Sequence, residues 1–240
     1  MTVYCLDRLP NPVNEFHDVQ ERIPSQSSGS LHYDRVDVRD AFDIDDVISR
    51  IATQHSRLDG LIAAAGIQKV TPALEYPPSA INEMMDINYK GVYLSAVGCA
   101  RQMVKYKCSG SIMLIASMSG LIANRNFTSS VYNSSKAAVI QLARSLAMEW
   151  GQIIDGKPIR VNALCPGNIV TPMVEKNFED DPSLRELWTN GNMLGRLSNP
   201  REYRGAALFL LSDASSFVSV ILRGQRLMLT TTDDWLITRD

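Results

Sequence analysis

Short apolar runs alternate along this chain with longer segments whose apolar residues recur every three or four positions. The short runs lie at 3–6, 31–38, 61–66, 111–116, 159–165 and 217–222. Runs of this length, bounded by turn residues and rich in Val, Ile and Leu, predict buried β-strands. The periodic segments predict helices. One follows 40–43, where Asp40 or Asp43 can cap it, and carries Ile44, Val47, Ile48 and Ile51. A long one over 79–105 carries Ile81, Met84, Met85, Ile87, Val92, Leu94 and Val97, and another over 134–150 carries Ile140, Leu142, Ala143 and Leu146. Shorter helices are expected at 14–22, which is mostly polar, and at 201–212. A serine-rich loop spans 25–30, an irregular connection spans 72–78, and the acidic, weakly apolar stretch 172–192 suits a flap or, equally, a plain surface excursion. Strands alternating with helices from end to end predict an α/β fold with a doubly wound parallel sheet. Ligands of such sheets bind outside the C-terminal ends of the strands.

Those ends are where the chemistry-bearing residues fall. Asp7, Asp37, Gly66, Ser117 and the Pro166–Gly167 pair each close a predicted strand. The small residues Ala63, Ala64, Ala65 and Gly66 let a ligand approach closely. Tyr132 and Lys136 are four apart at the start of the 134–150 helix, so helical geometry stacks them one turn apart. A cation lowers a nearby phenol pKa, and a phenol so lowered exchanges protons with an alcohol or carbonyl oxygen near neutral pH. A serine hydroxyl from the neighbouring strand end, Ser117, can hold the same oxygen. Asn88 is polar amid the apolar positions of the long helix, so burial there demands partners. A local bulge at Asn88 would free a backbone carbonyl for a water. Each residue alone has an ordinary alternative: a surface Asp after a strand, or a solvated Tyr–Lys pair. Their joint position at strand ends carries the inference.

Composition narrows the function class. The 240 residues suit one domain spanning 1–240, 45% hydrophobic. A formal charge of −2 gives no basic footprint for nucleic acid. No apolar run is long enough to span a bilayer, and no basic segment precedes the first apolar run, so a cytoplasmic, non-membrane protein is expected. Cys5, Cys99, Cys108 and Cys165 are scattered, which suits free thiols in a reducing compartment. His17, His32 and His55 lack ligand spacing, so no metal is expected.

Asp7, the Asp37–Val38 pair, Ala63–Gly66, Asn88, Ser117 with Gly120, Tyr132-x-x-x-Lys136, Pro166–Gly167 and Thr171, in that order, resemble the short-chain dehydrogenase/reductase family. The resemblance covers residue 3 to about 218, and its wording is most similar to fungal polyol, sugar and secondary-metabolite members. It implies a Rossmann-like fold and hydride transfer between a nicotinamide cofactor and a secondary alcohol or ketone. By the same resemblance Tyr132 is the general acid/base, Lys136 tunes it and binds the nicotinamide ribose, Ser117 orients the substrate oxygen and Asn88 holds a relay water. Asp7, Asp37, Val38, Ala64, Ala65, Gly66, Pro166, Gly167, Ile169 and Thr171 join Tyr132 and Lys136 around the cofactor. Asp7 points to NAD, because a carboxylate repels a 2′-phosphate; Arg8 beside it leaves NADP possible. The family also implies a homodimer or homotetramer through the two long helices. Met173, Phe178, Leu184, Leu187 and Trp188 in the flap suggest an apolar or neutral substrate.

Two departures accompany the resemblance. The family's first strand–turn–helix unit, with its Gly-rich turn, has no counterpart in this sequence, and its strand normally lies between the strands at 3–6 and 61–65. One of these strands is therefore expected to lack a partner on one edge. Two alanines, Ala63 and Ala64, also stand where the family has an Asn pair. From 219 to 240 the text diverges, and two readings stand open: a strand at 227–232, or an extension left by a shifted reading frame or exon boundary. The expectations are thus an active NAD(P)-dependent oxidoreductase or, as the alternative, a compromised relative with weak or no cofactor binding.

Overall fold

The computed structural model describes residues 1–223 apart from 25, 27, 125, 126 and 156. The 227–232 stretch lies outside the described residues. In chain order the elements are β1 (Thr2–Asp7), α1 (Asn14–Glu21), β2 (Ser30–Arg35), α2 (Ala41–His55), β3 (Gly60–Ala63) and α3 (Pro78–Met85). They continue with α4 (Val92–Lys105), β4 (Gly110–Ile115), α5 (Ser130–Trp150), β5 (Ile159–Cys165), α6 (Pro172–Asp180), α7 (Ser183–Asn190), α8 (Arg204–Leu211) and β6 (Val220–Arg223). All described strand pairs are parallel, giving the α/β Rossmann-like architecture that the alternation predicts.

The core is built on β4 and β5, whose side chains are almost all buried, with α2, α4 and α5 packed over them. Asp40 rather than Asp43 caps α2; its carboxylate accepts from the backbone N–H groups of Phe42 and Asp43. The long 79–105 helix is interrupted. A π turn at Asp86–Gly91 joins α3 to α4, which is the bulge anticipated at Asn88. Gly91 is needed there, because a Cβ at that position would lie 2.8 Å from the Val38 Cβ. Helix α5 starts at Ser130, four residues before the sequence pattern indicates, so Tyr132 falls in its first turn.

The sheet is split. β1 pairs with β2, and β3, β4, β5 and β6 form a second sheet in that order. The two strands read as buried are edges: Val3 and Leu6 on β1 are 36% and 38% exposed, and Ile62 on β3 is 44% exposed. Ala64 and Ala65 beyond it are exposed as well. No described strand lies between β1 and β3, so each is hydrogen-bonded on one side only and its apolar side chains lack one layer of neighbours. Among the described residues no helix is long and apolar enough to cross a membrane.

Candidate active site

Strand β4 delivers its C-terminal end against β5. Ala116 N–H donates to the Leu164 carbonyl, and Met118 N–H donates to the Pro166 carbonyl. Between them Ser117 is extended and buried, and its Oγ accepts from Ser119 N–H at 3.1 Å, starting a 3₁₀ turn at Met118–Gly120. That turn presses on α5: a Cβ on Gly120 would sit 2.6 Å from the Lys136 carbonyl carbon. Only glycine permits so close an approach. The result sets Ser117 beside the first turns of α5, near enough for its hydroxyl to act on the Tyr132 phenol. Lys136 Nζ donates to the Ile115 carbonyl at 2.8 Å and lies 5.8 Å from the Tyr132 ring centroid. Ser117, Tyr132 and Lys136 face one cavity of about 480 Å³.

Burial sets the electrostatics. Lys136 is 4% exposed, and loss of hydration lowers its ammonium pKa from 10.5 to about 8, with a small opposing effect from Cys165. The Tyr132 phenol is pushed up by burial and only partly drawn back by the neighbouring Ser117 hydroxyl. This corrects the sequence expectation of a phenol lowered by Lys136. The ammonium spends a hydrogen bond on Ile115, and the dry surroundings disfavour the phenolate more than they let the cation help it.

A stability prediction follows from Lys136. Below pH 8 folded and unfolded chains both carry the charge, and the folded one holds it against burial. Between pH 8 and 10.5 the unfolded chain binds the extra proton, so stability rises with pH. Lys136→Met is therefore expected to be more stable than the parent at pH 7, by at most ~3 kcal/mol for a shift of this size. The gain should shrink as pH climbs to 9.5. Urea unfolding at pH 7, 8, 9 and 9.5 measures it; a pH-independent difference would place the charge in water.

Asn88 is fully buried in the π turn and has a partner at each end of its amide. Its Oδ1 accepts from Ile67 N–H at 2.8 Å, and its Nδ2 donates to the Ile67 carbonyl at 2.9 Å and to Ser135 Oγ at 3.0 Å. Ser135 Oγ in turn donates to the Tyr132 carbonyl. Asn88 thus ties the loop after β3 to α5. Gly66 sits in that loop, where a Cβ would be 3.4 Å from both Asn88 Oδ1 and Lys136 Nζ.

Of the other sequence candidates, Ala64, Gly66, Pro166, Gly167, Ile169 and Thr171 line the same cavity. Thr171 also caps α6 by accepting from Val174 N–H. Ala65 is exposed outside the cavity. Asp7, Asp37 and Val38 do not line it either. Asp7 ends β1 and accepts from Leu9 N–H. Asp37 is gripped by the Arg39 guanidinium and backbone N–H, which hold its carboxyl down to about 2. Val38 packs on Gly91. Gln68, Ile122 and Phe127 line the cavity without having been anticipated; they lie in irregular loops that carry no periodic signal. In the flap, Met173, Leu187 and Trp188 line the cavity, whereas Phe178 and Leu184 are buried under α6 and α7. Among the described residues no group of three His, Cys, Asp or Glu side chains could hold a metal ion.

One half of a nicotinamide dinucleotide fits this donor set. The buried Lys136 ammonium has three N–H donors, of which the Ile115 carbonyl takes one, and the others suit a ribose diol at the cavity wall. Small residues at Ala64, Gly66 and Gly167 leave the wall open to a flat ring. The diphosphate lacks an equivalent cradle. Among the described residues no glycine-rich turn joins a strand to the helix that follows it.

A family model described as enoyl-(acyl carrier protein) reductase matches residues 11–223. The short chain dehydrogenases/reductase notP' of Aspergillus versicolor is 39% identical over 218 residues, covering 90% of this chain and 74% of that protein. A ribulose-forming D-arabinitol 2-dehydrogenase of Scheffersomyces stipitis is 36% identical over 180 residues, covering 75% of this chain and 63% of that protein. Among solved structures, a short-chain type dehydrogenase/reductase from Mycobacterium marinum superposes with a TM-score of 0.83 at 30% identity, covering 93% of this chain and 84% of that one. A gluconate 5-dehydrogenase from Burkholderia cenocepacia, in complex with NADP and tartrate, superposes with a TM-score of 0.79 at 26% identity, covering 92% of this chain and 83% of that one.

Proposed function

The chain belongs to the short-chain dehydrogenase/reductase family, and from that premise we propose that it moves a hydride between a nicotinamide cofactor and a secondary alcohol or ketone. The observation that carries this reading is the meeting of Ser117, Tyr132 and Lys136 on one cavity. The bound nicotinamide supplies or accepts the hydride. Tyr132 gives its phenolic proton to the carbonyl oxygen in reduction and takes it back in oxidation. Ser117 Oγ holds that oxygen against the phenol. Lys136 binds the nicotinamide ribose and favours the transient phenolate. Asn88 fixes the loop after β3, so that Gly66 keeps clear of the ammonium.

In this reading Ala64, Gly66, Pro166, Gly167, Ile169 and Thr171 hold the nicotinamide end, while Ala65, Asp7, Asp37 and Val38 border the adenosine end. Asp7 repels a 2′-phosphate, so NADH is preferred to NADPH. The partner is a small-molecule alcohol or ketone. The working form is a homodimer or homotetramer through α4 and α5, on which Tyr93, Val104 and Met148 are exposed.

A specific observation favours a second reading, a relative that keeps the reducing scaffold but binds cofactor poorly. It is the split of the sheet, with β1 paired only to β2 and β3 only to β4 among the described strands, together with the lack of a described glycine-rich turn to hold the diphosphate. Charge-assisted hydrogen bonds contribute about 1.5–3 kcal/mol each, so losing several weakens binding by orders of magnitude. Titration calorimetry of the purified chain with NADH and NADPH decides. The expected result is saturable NADH binding in the high micromolar to millimolar range, weaker for NADPH and lost in Lys136→Met. A folded chain that binds neither at millimolar concentration answers to the second reading.

A further inference from the structure

We propose that the cavity selects a neutral, apolar substrate bearing an aromatic ring, such as an aryl ketone or its alcohol, and not a polyol or a sugar acid; this rests on the hydride-transfer reading and names its substrate class. Among the described residues Lys136 is the only charged side chain lining the cavity, and it stands at the reacting end, tied to the Ile115 carbonyl. A carboxylate held against the rest of the described lining would be desolvated without a cation, which is costly. Polyols bring several hydroxyl donors that need acceptors. Of the three side-chain amides in the lining, Gln68 Oε1 already accepts from Asn177 Nδ2 at 2.9 Å and Asn124 Oδ1 from Asn133 Nδ2 at 3.1 Å, which uses one of the two acceptor positions of each and leaves Asn168. Hydroxyls buried against the apolar part of the lining are left unpaired.

The wall away from the chemistry is apolar. Ile122, Phe127, Met173, Val174, Leu187 and Trp188 form it. Its most specific part is the Trp188 indole, clamped edge-on by two phenyl rings. Phe127 lies at 5.3 Å and 81°, and Phe178 at 5.4 Å and 63°. Arg185 stacks on the far ring, 4.6 Å from the Phe178 centroid. An indole held on two sides is already oriented, so a substrate ring stacking against it does not have to order it first. Leu187 and Met173, each exposed by more than a third, border the same opening and give an apolar ligand further surface to cover.

The test is calorimetric binding to the full chain, without and with NADH, of three probes: 2-acetylnaphthalene, D-arabinitol and gluconate. The aryl ketone is expected to bind at least ~10-fold more tightly than either other probe. Trp188→Ala should weaken it on the order of tenfold, and Trp188→Phe should restore most of the loss. Leu187→Asn, at an exposed position, is expected to weaken it several-fold with an unchanged unfolding midpoint, which keeps the test valid should Trp188→Ala not fold. D-Arabinitol or gluconate binding as tightly as the ketone, or indifference of the ketone to Leu187→Asn and to Trp188→Ala, overturns the proposal. Rates separate the two readings. Oxidation of the polyol or the sugar acid coupled to reduction of NAD+ to NADH, with no aryl ketone reduction by NADH, overturns the substrate class and leaves hydride transfer standing. Tight ketone binding with no turnover by NADH or NADPH supports the pocket and rejects hydride transfer.

Discussion

Replacing Tyr132 by Phe is expected to lower ketone reduction by about 10²–10⁴-fold, the usual contribution of a positioned general acid. Turnover is measured at millimolar NADH. The variant removes one oxygen and keeps the ring that packs against Tyr76, Ala80 and Met84, so unfolding midpoints should move little. Cofactor affinity should stay within a few-fold, because Lys136 donates to the Ile115 carbonyl and that bond survives. Ser117 keeps Ser119 N–H as a donor and loses only the phenol. The pH profile of the parent adds a second check. Burial raises the phenol pKa above its ordinary value near 10, so the acid form persists through neutral pH. Reduction is then flat with respect to phenol ionisation up to pH 9. Oxidation needs the deprotonated oxygen and rises with pH over the same interval. A Phe variant within threefold of the parent would remove Tyr132 from the chemistry.

How much of this was legible in the sequence depends on the range over which each feature is decided. The spacing of Tyr132 and Lys136 is a local, helical fact, and once α5 formed, their stacking followed. Ser117 was legible because a strand end is marked by the sequence around it. The π turn at Asn88 was legible because a polar residue surrounded by apolar ones must be satisfied somehow. Decisions made by the assembled fold were not. The direction of the Tyr132 shift depends on how dry its surroundings are, and residue types four apart do not report that. β1 and β3 read as buried because their composition is apolar, yet exposure depends on whether a neighbouring strand is there. Asp37 shows an intermediate case. Arg39 stands two residues away, and the bend at 37–39 lets it close on the carboxylate, which a strand reading through Val38 concealed. Phe127 had no signal, since its place beside Trp188 is set by packing between a loop and the flap.

The second large effect is structural. Asn88→Ala is expected to destabilise the chain by about 2–4 kcal/mol, from the loss of three hydrogen bonds that hold part-buried backbone and buried hydroxyl groups. Both the N–H and the carbonyl of Ile67 lose their Asn88 partner, and so does Ser135 Oγ. Set against a typical total of about 5–15 kcal/mol, that loss should be plain in the urea midpoint. Asn88→Asp separates the contributions. Its carboxylate still accepts from Ile67 N–H, but it cannot donate, so the Ile67 carbonyl faces negative charge. The Asp variant should therefore be as unstable as Ala at pH 7 and recover part of the loss at pH 4, as protonation restores a donor. The site should respond along with the fold. Gly66 lies within contact of both Asn88 and Lys136, so releasing its loop lets it drift towards the ammonium. NADH affinity should then fall together with stability, although Asn88 lines no part of the cavity. If Asn88→Ala unfolds within 0.5 kcal/mol of the parent, the loop after β3 is held by its backbone alone. The π turn is then a local irregularity of the helix with no part in positioning Gly66.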